Sequence, residues 1–145
     1  MIYYIAFIGS GQSIGIINKI SGKIEVLNKL GHETKGLFLI HEEDDKPEKN
    51  EQIEFISYPK FDLSSAYKSI EIFLQLNLEP NDKIIFRYPL SSSKLLNFLQ
   101  KYPNRIWLEH NTIETDELKN NFKKLNFRDW AYIFKNFYFT DVKEN

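Results

Sequence analysis

The chain has 145 residues, the size of one domain, and its 42% hydrophobic and 27% charged composition is that of a globular chain with a buried core. A formal net charge of −1 gives no global pull toward nucleic acid, so no nucleic-acid partner is expected. The absence of cysteine excludes a disulfide framework, a thiolate metal site and a Cys nucleophile. The opening Met1 to Gly15 carries no basic segment and no cleavage-like site, and its apolar run falls far short of the roughly 20 residues that span a bilayer. A cytoplasmic location is the expectation.

Hydrophobic patterning alternates along the chain. Ile2 to Ile8 is a continuous apolar run, which predicts a strand covered on both faces. Gly9 to Ser13 is a small-residue turn. Ile17, Ile20, Ile24 and Leu27 then recur at helical spacing, with Gly31 placed to end that helix. Thr34 to Ile40 predicts a second strand, His41 to Glu51 a charged loop, and Ile53 to Ser57 a third strand. Asp62 and Ser64 are candidate N-caps of a helix bearing Ala66, Ile70, Phe73 and Leu74, stopped by Pro80 and Asn81. Lys83 to Phe86 is a fourth strand. Ser91 to Ser93 start a helix bearing Leu95, Leu96 and Leu99, closed by Pro103, and Arg105 to Glu109 is a fifth strand. Glu114 to Leu125 and Asp129 to Tyr138 read as helical.

Strands alternating with helices predict an α/β fold: one Rossmann-like, doubly wound parallel sheet over residues 1–145. In such sheets ligands bind beyond the carboxyl ends of the strands, where the strand order reverses. Three segments should converge there: Gly9 to Gly15, Arg87 to Ser93, and Glu109 to Thr112.

Gly9, Ser10, Gly11 and Gln12 lie between a strand and a helix, where backbone N–H groups can approach an anion that the helix dipole also favours. The spacing G-x-G-x-x-x-G departs from the dinucleotide fingerprint, which disfavours NAD, and Glu33 and Glu42 are only loosely placed for a ribose. A tight turn needing small residues explains the same segment. Arg87, straight after an apolar strand, can fork onto a phosphate or carboxylate or join a surface ion pair. Ser91 to Ser93 suit a helix cap better than a nucleophile. Glu109, His110 and Asn111 end an apolar strand in polar groups that are costly to bury alone. His110 can hydrogen-bond a sugar hydroxyl and Glu109 can orient an acceptor, or the group can be a structural knot. Glu42 to Asp45 is a solvated acidic loop rather than a cation site, so no metal is expected. Lys119, Lys123, Lys124, Arg128 and Lys135 interleave with Phe122, Phe127, Trp130, Phe134 and Phe137. That pattern suits a helix packed on the sheet, peripheral membrane contact, or self-association through an aromatic face.

Several of these features together resemble one family. Phe7-Ile8-Gly9-Ser10-Gly11, Asn18-Lys19-Ile20 and Leu27 to Thr34 resemble the opening of family 4-like glycosyltransferases of the GT-B type, with the helix ending in L-x-x-x-G-H-x-(V/T). Ile84 to Pro89 and Ile106 to Thr112 resemble that family's mid-domain. The resemblance runs from about Ile2 to Leu118. It implies the N-terminal, acceptor-side half of an enzyme that moves a sugar from a nucleotide-sugar donor to a saccharide or lipid-linked acceptor. Gly9 and Gly11 would lie near donor phosphates or acceptor, Arg87 would line the acceptor pocket, and His110 would match the cleft histidine on the transferred sugar. The family's donor-nucleotide pocket and E-x7-E motif belong to a C-terminal domain. The expectation is therefore a domain incomplete at its C-terminus and inactive alone, with no cofactor of its own and donor binding only beside a second domain. The competing expectation is a non-catalytic, Rossmann-like nucleotide- or partner-binding module.

Overall fold

The computed structural model describes residues 1–9, 13–47, 50–89, 91–110 and 126–136. Five strands, β1 (Ile2–Phe7), β2 (Thr34–His41), β3 (Ile53–Tyr58), β4 (Lys83–Arg87) and β5 (Ile106–Glu109), alternate with α1 (Ser13–Lys29), α2 (Leu63–Asn77) and α3 (Ser93–Lys101); α4 (Phe127–Asn136) follows. All strand pairs are parallel, in the order β3-β2-β1-β4-β5. The architecture is the Rossmann-like α/β sheet that the alternation predicts. The order reverses at β1, whose neighbours are β2 and β4, so the switch-point crevice lies beyond the ends of β1 and β4.

The pleat of β1 sorts the core into two layers. Tyr3 and Ile5 face a cluster built with Leu63, Ala66, Ile70 and Leu74 of α2 and Leu95 and Phe98 of α3. Tyr4, Ala6 and Ile8 face the other way, onto Ile17, Ile20 and Ile24 of α1. Burying each such aliphatic side chain contributes about 1.5–3 kcal/mol. Gly36 of β2 lets α1 approach closely: a Cβ there would sit 2.9 Å from Ile24 Cδ1.

Local chemistry sets the helix ends. Gly31, at φ +87°, follows α1, and its N–H donates to Asn28 O while the His32 N–H donates to Leu27 O, both at 3.0 Å. The Asn28 side chain then takes the Thr34 N–H at 2.8 Å and donates to Thr34 O at 3.1 Å. Leu27 to Thr34 is thus a helix-to-strand junction, with the His32 side chain in solvent. Asp62, rather than Ser64, caps α2 by accepting the Ser65 N–H at 2.9 Å. Asn126 and Asp129 cap α4 reciprocally, so that helix starts at Phe127, two residues before the predicted Asp129.

Other boundaries and faces differ in small ways. Ile8 is buried but lies past the end of β1. Arg87 belongs to β4, because pairing with β5 extends to Glu109. On α3 the inward face is Leu95, Phe98 and the partly buried Leu99, while Leu96 is exposed, since neighbours in a helix diverge by about 100°. The predicted helix at 114–125, the C-terminal end of the Asp129 to Tyr138 prediction, and Asn111 and Thr112 lie outside the described residues. No described helix is long and apolar enough to cross a membrane.

Candidate functional site

The topology brings together the described parts of all three predicted segments. Gly9 follows β1, Arg87 ends β4 and is paired in register with Glu109 of β5, and His110 follows. Ser10, Gly11, Gln12 and Asn111 lie outside the described residues. Gly9 is exposed, and a Cβ there would meet no atom of the described residues within 4 Å, so packing among them makes no demand for glycine at this position.

In a parallel pair, residues in register point to the same face. Ile85 packs against the α1-side cluster, so Arg87, two residues on, and its partner Glu109 lie on that side too. There Glu109 forms a knot with two distant elements. Its carboxylate accepts hydrogen bonds from the Tyr4 hydroxyl of β1 and the Lys23 ammonium of α1. Burial first, and then the bond to the Glu109 carboxylate, push the Tyr4 hydroxyl pKa up, so it stays a donor through the whole neutral range. Tyr4 and Lys23 thus belong to the candidate site through Glu109, and local pattern reading misses both: Tyr4 reads as one more apolar strand position, and Lys23 as a solvated helix charge.

Arg87 has a different status. Its Nη1 is buried and meets no hydrogen-bond acceptor among the described residues. A guanidinium N–H out of contact with water is costly to leave unpaired. Among the described residues, Arg87 and Lys23 supply two positive charges near the Glu109 carboxylate, and Arg87 keeps one unmet donor.

At the rim, the rings of Tyr88 and His110 stack with centroids 4.1 Å apart and planes 28° from parallel. The Tyr88 N–H donates to Glu109 O at 2.9 Å, continuing the β4–β5 ladder. The Tyr88 hydroxyl and Ser91 Oγ share a hydrogen bond. His110 is therefore presented on an aromatic plate, exposed to solvent, where it can meet the face or hydroxyls of a sugar. The serines fall to structure: Ser92 caps α3 by accepting the Leu95 N–H at 3.0 Å, and Ser91 holds Tyr88.

Outside the crevice, Phe127 of the aromatic C-terminal stretch is 89% exposed, whereas Tyr132 packs against the core beneath α2 and α3. Trp107 and Leu108 of the edge strand β5 are exposed as well. No cluster of three metal-ligating side chains is present among the described residues. Comparison with family models, with curated proteins and with solved structures gives no match.

Proposed function

We propose that this chain is the acceptor-side, Rossmann-like half of a GT-B type glycosyltransferase, and that its switch-point crevice holds an anionic group of a sugar-bearing ligand. The observation that carries the reading is the buried Arg87 Nη1, which meets no acceptor among the described residues, beside the reversal of strand order. Turned toward the crevice, the guanidinium would give that donor to a phosphate oxygen, which would also meet the positive charge that Lys23 and Arg87 hold in excess of Glu109 among the described residues. His110, stacked on Tyr88, would take the sugar. Glu109 acts in this reading as a brace that fixes β5 against β1 and α1, and so positions His110. Turnover would need a second domain carrying the donor-nucleotide pocket, because activated sugar and acceptor meet across two domains in this architecture.

Calorimetric titration with sugar 1-phosphates, with UDP-, GDP- and ADP-sugars for comparison, tests the reading. A sugar phosphate should bind, Arg87→Met should abolish the heat, and Gly9→Ala should weaken binding without lowering thermal stability, since its Cβ would meet no described atom within 4 Å. Equal affinity for the bare nucleoside diphosphate would favour a non-catalytic nucleotide-binding module. Binding indifferent to Arg87 would sink the proposal.

A further inference from the structure

A cavity of about 340 Å³ opens on the opposite side of the sheet from Arg87, lined by Phe61, Asp62, Leu63 and Ser64 at the start of α2, Lys94 at the start of α3, and Arg128, Ala131, Tyr132 and Lys135 of α4. We propose that this cavity is a second ligand site, which binds the phosphate of a small phosphorylated organic molecule. It shares no lining residue with the switch-point crevice and does not depend on the function proposed for it.

Three observations carry the assignment. First, charge: among the described lining residues Arg128 and Lys135 outnumber the one carboxylate, Asp62, whose Oδ1 already caps α2 through the Ser65 N–H, and Lys94 lines the cavity from α3. The cations come from two separate elements, an arrangement suited to an anion with several oxygens. Second, the start of α3: it opens on the cavity through Lys94, is capped by the neutral Ser92 and holds no acidic side chain in its first turn, so its dipole adds positive potential, whereas Asp62 offsets that of α2. Third, the aromatic wall: Phe61 has φ +68°, a region that bulky side chains seldom enter. That backbone sets its ring 5.3 Å from Tyr132, edge to face, and 5.1 Å beneath the Arg128 guanidinium. The ring holds Arg128 over the cavity by a cation–π contact. The volume is about ten times a water's share of the liquid, more than a bare ion fills, and Leu63, Ala131 and the two rings leave an apolar side for a carbon-bearing part.

The probe is inorganic pyrophosphate, titrated calorimetrically into the intact chain at low ionic strength. Saturable binding should weaken at least tenfold in Arg128→Gln and again in Lys94→Gln, and should fall as salt is raised. Lys68→Gln, an exposed position on α2 outside the cavity lining, should leave it unchanged. Circular dichroism checks that each variant keeps its helices, and the Lys94 variant, on a different element, guards against a local effect on α4. Co-sedimentation with phosphatidylcholine vesicles containing phosphatidic acid separates the sources of the phosphate: retention sensitive to Arg128 assigns the site to a lipid headgroup, and its absence alongside pyrophosphate binding assigns it to a soluble ligand. No saturable binding in either arm, or binding lost in Arg87→Met but kept in Arg128→Gln, overturns the proposal.

Discussion

Replacing Glu109 by Gln separates a brace from a binding acid. The amide oxygen still accepts the Tyr4 hydroxyl, but the charge that meets Lys23 is gone. Hydrogen bonds to charged groups contribute about 1.5–3 kcal/mol when shielded. The Lys23 side chain is 37% exposed, so solvent screening lowers that contribution, and a loss of about 1–2 kcal/mol of stability is expected. For a chain of this length that corresponds to a fall of about 3–6 °C in melting temperature. Ligand binding should move the other way. An anion about 8 Å from the lost carboxylate, at an effective dielectric of about 40, gains about 1 kcal/mol, or about fivefold in affinity. Urea denaturation reads the first effect and calorimetry with the crevice ligand the second. A cycle with Tyr4→Phe should show a coupling of at least about 0.5 kcal/mol. An unchanged urea midpoint together with lost binding would refute the reasoning, because Glu109 would then be touching ligand rather than holding the fold.

Two further outcomes follow from the core and from pH. Gly36→Ala should cost about 1–3 kcal/mol, because its Cβ would sit 2.9 Å from Ile24 Cδ1; Ile24→Val should recover part of that loss, and no recovery in thermal melts would place the strain elsewhere. Burial, reinforced by the Lys60 charge, lowers the His41 pKa despite the opposing Asp44 carboxylate. The unfolded state therefore takes up the proton first: the His41 contribution is complete above about pH 6.5 and is lost as pH falls toward the depressed folded value. Urea midpoints measured between about pH 7.5 and 5.5 should decline in the native chain and decline less in His41→Phe, which keeps the aromatic contact with Tyr58. Equal slopes would contradict the assignment.

Much of the architecture is legible in the chain because it rests on local chemistry. The continuous apolar run from Ile2 marks a doubly covered strand, and the spacing of Ile17, Ile20 and Ile24 marks the buried face of α1. Gly31 ends α1 because it adopts a left-handed conformation that side-chain-bearing residues avoid. On α3 the leucine pair Leu95 and Leu96 does not reveal the helical phase; packing buries Leu95 and Phe98 and leaves Leu96 in solvent. The motif from Leu27 to Thr34 shows the limit of resemblance, since its side chains and backbone serve a junction between α1 and β2.

Periodicity and turn chemistry act over a few residues, so the chain alone marks the five strands, α1 to α3 and the presence of Arg87, Glu109 and His110 at strand ends. What those side chains meet is fixed when the sheet assembles. Tyr4 and Lys23 reach Glu109 across 105 and 86 residues of chain, the β4–β5 register lays Tyr88 against His110, and Arg87 is left with a buried donor unmet among the described residues. Such contacts depend on which strands become neighbours and on which face each side chain takes. Both are set by the global order of the sheet, to which local patterns of polarity are blind.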